Sequence, residues 1–182
     1  NTVKSKGIED TVIFTGSTEV AKLIQINLAH RNKVIPFIAE TGGQNAMIVD
    51  SSALPEQVVN DVLSSAFDSA GQRCSALRVL CLQEEIADHI IEMIKGAMSE
   101  LRVGNPSSLD IDIGPVIDAQ AQANLQKHID ELKGQSLGFY EVKLDPNLLE
   151  IGHFIAPIMF EIENLFALKQ EVFGPVLHIM RY

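Results

Sequence analysis

Three features of this 182-residue sequence predict an α/β fold built on parallel strands. Short apolar runs rich in Val and Ile alternate with stretches whose apolar residues recur every three or four positions. The first forty residues already read strand, helix, strand, an order that implies a parallel crossover. Composition supplies the core such a fold needs: 46% of residues are hydrophobic, 21% are charged and mean hydropathy is +0.14, unlike a disordered chain.

Along the chain, Val12-Ile13-Phe14 is the first strand and stops at Thr15-Gly16-Ser17-Thr18. From Glu19 to about His30, the residues Val20, Leu23, Ile24 and Leu28 mark a helix, and Val34 to Ala39 is the second strand. Glu40 ends that strand, and Thr41-Gly42-Gly43 follows with two residues that permit a sharp bend or a close backbone approach. A domain boundary is placed here, giving domains 1–42 and 43–182. Ala46 to Val49 is a short buried strand, and Pro55 opens a helix at the position where its missing N–H costs nothing. Val58, Val62, Ala66 and Ala70 form the inward stripe of that helix, and Gly71 stops it. Gln72-Arg73-Cys74-Ser75 then lies on a loop before a buried strand, Leu77 to Leu82, that contains Cys81. Two amphipathic helices follow, one through Ile86, Ile90, Met93, Ala97 and Leu101, the other through Ala121, Leu125, Ile129 and Leu132. Strands near Phe154 to Glu161 and Val176 to Arg181 close the order, and no internal repeat is present.

The charge excludes several classes of function. With 14 Lys and Arg against 24 Asp and Glu, the net charge is −10, and the basic residues are scattered singly. A phosphate-binding nucleic-acid surface needs them clustered. No apolar run reaches the length of a membrane span, and Asn1 to Gly7 carries no signal-peptide core, so a soluble segment is expected. The first residue is not Met, which suggests a part of something longer. Cys74 and Cys81, seven apart, match neither a disulfide framework nor a zinc knuckle, and a reducing, cytoplasmic compartment is expected. The histidines at 30, 89, 128, 153 and 178 have no ligand spacing, so no metal site is expected.

Read singly, the chemical candidates are ambiguous. A lone cysteine such as Cys74 is more often a small buried hydrophobe than a nucleophile. Its loop position favours exposure, and Arg73 would favour the thiolate if its side chain turned inward. Glu40 is a surface charge or, at the carboxyl end of a parallel strand where such sheets bind ligands, a general base. Thr15-Gly16-Ser17-Thr18 is a helix cap or a place for a phosphate at a helix start.

Taken together they are specific. Phe14-Thr15-Gly16-Ser17-Thr18-Glu19-Val20, Glu40-Thr41-Gly42-Gly43, Gly71-Gln72-Arg73-Cys74 and Glu171-Val172-Phe173-Gly174-Pro175-Val176, in that order and spacing, resemble the aldehyde dehydrogenase superfamily. The resemblance covers essentially the whole chain and is loosest from about Gly134 to Gly152. The stretches 39–54 and 67–78 look like the bacterial branch that oxidises glutamate γ-semialdehyde to glutamate in proline catabolism, where the dehydrogenase is one module of a bifunctional enzyme. Thr41, where the wider superfamily commonly has Leu, fits that branch.

This resemblance implies a fragment of the aldehyde dehydrogenase fold, the end of a Rossmann-like NAD domain followed by most of an α/β catalytic domain. It implies NAD as cofactor and FAD in a separate module. Cys74 would attack the aldehyde carbonyl, with its backbone N–H as one oxyanion donor, and Glu40 would activate the water that hydrolyses the thioester. Thr15, Gly16, Ser17, Thr41, Gly42, Glu171 and Phe173 would contact the cofactor, and Ser75 would hold the carboxylate of the substrate. The adenosine-binding lysine and the oxyanion Asn would lie before Asn1, so the piece alone is expected to be inactive. The implied partners are a small aldehyde and the rest of a homo-oligomeric parent, which other modules allow to sit peripherally on a membrane. Two alternatives remain open at this point: another NAD(P)-dependent aldehyde dehydrogenase, or a non-catalytic packing module.

Overall fold

Proline gives no N–H to a ladder, so the second apolar run becomes a strand only after Pro36. In the computed structural model, which describes residues 11–182, this strand (β2) is Phe37–Glu40. The reading of Asn1 to Gly7 falls outside the described residues. The chain forms two compact units that part between Gly43 and Gln44.

In the first unit, β1 (Val12–Thr15) and helix α1 (Thr18–Ala29) precede β2. The two strands pair in parallel, with Thr15 opposite Glu40. Ser17 caps α1, its Oγ accepting from the Val20 N–H at 3.3 Å. Only Ala21 of the helix is buried, whereas Ile13, Leu23, Ile26, Val34 and Ile38 are exposed.

The second unit contains β3 (Ala46–Val49), α2 (Pro55–Phe67), β4 (Val79–Leu82), α3 (Glu84–Ser99), α4 (Ala119–Lys133), β5 (Gly138–Glu141), α5 (Leu148–Ile151), β6 (Ile158–Glu161) and β7 (Val176–Arg181). Its five-stranded sheet runs β3-β4-β7-β6-β5, with every neighbour parallel except β5, which is antiparallel to β6. All four residues of β4 are buried, as are the first four of β7. Such continuous apolar runs are what a strand covered on both faces requires. Val62, Phe67, Leu80, Leu82, Ile90, Ile94, Leu125, Ile129, Phe160 and Val176 form the centre of the core, each side chain worth roughly 1.5–3 kcal/mol on burial. The expected α/β architecture with parallel strands is therefore present, and among the described residues no helix is long and apolar enough to cross a membrane.

Several boundaries move for physical reasons. Helix α2 ends at Phe67, and Ala70 is buried through a left-handed turn rather than as part of the helical stripe. Strand β4 starts at Val79, because the Leu77 N–H bonds to Ser65 O and the Arg78 N–H to Asn45 O. Helix α3 stops before Leu101. Phe154 and Ile155 are buried as loop residues, and β6 begins at Ile158. Strand β5, with its alternating exposed and half-buried residues, was not expected from the sequence.

Candidate active site

Three segments that each enter a strand meet at one end of the larger sheet. Asn45 leads into β3, residues 69–78 lead into β4 and residues 171–175 lead into β7, and these strands are adjacent and parallel. The chemistry of this unit therefore gathers at the amino ends of its strands. The carboxyl-end rule describes only the smaller unit, where Glu40 closes β2 and its carbonyl accepts from the Gly16 N–H at 3.2 Å. Glu40, Thr15 and Gly16 are brought together there; Thr41 and Gly42 follow directly.

The Cys74 loop has an unusual backbone. Ser69, Ala70 and Gly71 take φ of 57°, 53° and 64° in succession. Non-glycine residues occupy this region at a cost, and it concentrates at functional sites. Gly71 has a second reason to be glycine: a Cβ there would lie 2.1 Å from the Gly174 carbonyl oxygen. A tight turn follows, closed by the Ala76 N–H donating to Arg73 O at 3.1 Å, with Cys74 and Ser75 exposed at its tip. Asn45 Nδ2 donates to the Cys74 and Ala76 carbonyls at 2.7 and 2.9 Å, fixing the turn from β3. Gln72 ties it to the approach to α4, accepting from the Ile117 N–H at 2.8 Å. No hydrogen bond from the Cys74 N–H occurs among the described residues.

Below the turn lies Arg78, with no exposed surface. Its Nη1 donates to Gly71 O at 2.6 Å, its Nη2 to Arg73 O at 3.0 Å and its Nε to Glu171 Oε1 at 3.2 Å. The Phe173 ring lies over the guanidinium, 5.1 Å from centroid to carbon, while 40% of the residue stays exposed. A charge can be buried here because it is paired and hydrogen-bonded on several sides. Burial pushes the Arg78 pKa down, and the Glu171 charge and hydrogen bond and a charge on Cys74 pull it back up. Arg73, by contrast, reaches back to Ser64 O and Asp68, so it does not turn inward to the thiol. Cys81 is buried in β4, and burial raises its thiol pKa.

Glu171 uses one oxygen on Arg78, and its other, Oε2, is buried with no partner. An ionised carboxylate oxygen in that state is an acceptor waiting for a hydroxyl or N–H donor, which fits the ribose of a dinucleotide. At the helix start of the smaller unit, Ser17 spends its oxygen on the cap. The Glu19 carboxylate is held below its usual range, first by its own backbone N–H and then by the Ser17 hydroxyl. A phosphate arriving here would compete with that carboxylate. No cluster of three or more metal-ligating side chains occurs among the described residues.

Sequence reasoning passed over Arg78 and Asn45. Arg78 had a signal, since it is the one charge in the apolar run 76–82, and a charge at a core position needs a partner. Asn45 had none, because its role depends on a turn thirty residues away.

Comparison with known proteins places these features in context. The model described as "Aldehyde dehydrogenase family" matches residues 3–182. Bifunctional protein PutA of Escherichia coli (strain K12) is 57% identical over 179 residues, covering 94% of this chain and 14% of that protein. The Rhizobium meliloti PutA is 50% identical over 181 residues, covering 97% and 15%. A mutant Proline Utilization A from Bradyrhizobium japonicum superposes with a TM-score of 0.88 at 49% identity, over 94% of this chain and 17% of that one. Betaine aldehyde dehydrogenase of Staphylococcus aureus, in complex with NAD+, gives a TM-score of 0.85 at 28% identity, covering 94% and 35%.

Proposed function

The chain belongs to the aldehyde dehydrogenase family, and from that premise we propose that it supplies the nucleophile and part of the cofactor site for NAD-dependent oxidation of L-glutamate γ-semialdehyde to L-glutamate. The observation that carries this reading is the exposed Cys74 on a turn pinned by Asn45 and Arg78, with Glu171 held through Oε1 by the same guanidinium and its Oε2 left free. In this reading, residues up to 42 close a cofactor domain and the remainder is catalytic.

The Cys74 sulfur, as thiolate, forms a bond to the aldehyde carbon, and the Cys74 N–H donates to the resulting oxyanion. NAD, when bound, accepts the hydride. Glu171 Oε2 would hold a ribose hydroxyl of NAD, and the exposed part of Phe173 would lie beside it. On the smaller unit, Thr15, Gly16, Ser17, Thr41 and Gly42 would contact the cofactor. Glu40 takes a proton from the water that cleaves the thioester, releasing the acid and returning the Cys74 thiolate. Ser75, beside the nucleophile, donates its hydroxyl to the carboxylate of the substrate. A reducing cytoplasm suits a reaction that needs a free thiol. Because the chain spans only 14–17% of the PutA relatives, proline utilisation, an FAD-bearing module and oligomerisation belong to this proposal.

The test uses a full-length protein carrying this chain. NADH formation from glutamate semialdehyde should exceed that from short aliphatic aldehydes in kcat/KM, and Cys74→Ser should abolish it with the fold intact. A preference for aliphatic aldehydes would remove the substrate assignment. Turnover surviving in the Ser variant would remove the nucleophile.

A further inference from the structure

A guanidinium has five N–H donors in a rigid fork, and Arg78 spends them on two different strand entrances. On one side it holds the carbonyls of Gly71 and Arg73, which bracket the left-handed turn and the start of the Cys74 turn. On the other it holds Glu171 Oε1 and lies 3.5 Å from Gly174 O, with Phe173 over its face. The backbones of these two entrances touch at Gly71 and Gly174, where there is no room for a Cβ. Moving one entrance therefore moves the other.

We propose that Arg78 is a positioning residue that sets the Cys74 turn and the Glu171 carboxylate as one unit, so that the reactivity of the thiol and the free carboxylate oxygen are adjusted together. This rests on the reading of Cys74 as the reacting thiol and of Glu171 Oε2 as a ribose acceptor. Two consequences distinguish it from simple support of the fold. First, Arg78 holds the two carbonyls that lead into the Cys74 turn, so removing the guanidinium should loosen the turn and change how fast its exposed thiol is alkylated. Second, the Nε–H that holds Glu171 Oε1 belongs to the same rigid fork that holds Gly71 O and Arg73 O; a point charge such as Lys cannot hold both entrances in fixed directions. The other charged groups around the turn are Arg73 and Asp68, exposed and paired with each other, and Asp118, which caps α4.

Arg78→Met, Arg78→Lys and Glu171→Gln in a full-length protein carrying this chain test the idea, with iodoacetamide labelling of Cys74 followed by peptide mapping as the first readout and KM for NAD as the second. Cys74 labelling in Arg78→Met should be several-fold slower than in the parent, because the turn that presents the thiol loses two tethers. Arg78→Lys, with one donor point instead of a fork, should restore the labelling rate only in part, while KM for NAD stays raised by about tenfold in both. In Glu171→Gln the bond to Arg78 weakens from a charged to a neutral acceptor, so Cys74 labelling should slow as well, and KM for NAD should rise again. The Gln variant retains the acceptor to Arg78, so it decides the matter if Arg78→Met does not fold. An unchanged labelling rate in Glu171→Gln, or in a folded Arg78→Met, would overturn the proposal. Labelling is independent of turnover, so slowed labelling without NADH from any aldehyde would sink the proposed reaction and leave the coupling standing.

Discussion

Gly71 shows how much one residue can decide. Its φ of 64° and the 2.1 Å approach of a would-be Cβ to Gly174 O are independent demands for the same side chain, hydrogen. Gly71→Ala should cost at least about 1–2 kcal/mol for the left-handed backbone alone, and the clash is with a carbonyl that cannot swing aside like a flexible side chain. The expected outcome is a lower urea midpoint, together with slower Cys74 labelling because Arg78 loses its acceptor geometry at Gly71 O. A variant with parental midpoint and labelling would show that the contact is slack. The glycine was legible in Gly71-Gln72-Arg73-Cys74 as a stop to helix α2. Its contact with Gly174, a hundred residues on, was not, since backbone approach across a sheet leaves no local trace.

At the scale of elements, β7 carries a pH-sensitive group into the middle of the sheet. His178 is 1% exposed, its Nδ1 donates to Arg78 O at 2.8 Å, and its Nε2 is 3.0 Å from His128 Nε2 on α4. A carbonyl can only accept, so Nδ1 holds the proton and Nε2 must accept from His128. Burial first, and then the nearby His128 and Arg78 charges, bring His178 down to about 4 from 6.5, against the raising effect of the Arg78 carbonyl. With the folded value below the unfolded one, the unfolded state binds more protons between those limits. The stability tied to neutral His178 is thus whole above about 6.5 and is lost as pH falls through about 4, on the order of 3 kcal/mol in total. His128, also lowered, chiefly by burial, adds in the same direction. Urea midpoints taken at neutral pH and at about pH 5 should differ less in His178→Gln than in the parent. An equal drop in both would assign the loss to other groups.

For the whole chain, the smaller unit poses the stability question. Its described residues form one helix and two strands, and a two-stranded sheet is marginal without further packing. Ile13, Leu23, Ile26, Val34 and Ile38 remain 49–92% exposed, and contiguous exposed apolar surface favours association. The 182-residue chain by itself should self-associate and bind NAD far more weakly than a full-length protein carrying it. Light scattering and calorimetric titration test both; a monomer with micromolar affinity for NAD would contradict the account.

The amino-acid sequence by itself determined most of the elements, though not β5 or α5, and the chemical inventory. Periodicity is a local property, so helix α4, strand β7 and the loop position of Cys74 could be read from residues a few places apart, and the motif resemblance pointed to Cys74, Glu40 and Glu171. Tertiary structure decided what those residues face. It turned Arg73 outward to Asp68 and placed Arg78 under the Cys74 turn. It gathered the larger unit's candidates at the amino ends of β3, β4 and β7, and it left one oxygen of Glu171 unclaimed. The reason is physical: a hydrogen bond or buried charge pair depends on separation in space, and Arg78 meets Glu171 across 93 residues of chain whose path only the packed core defines.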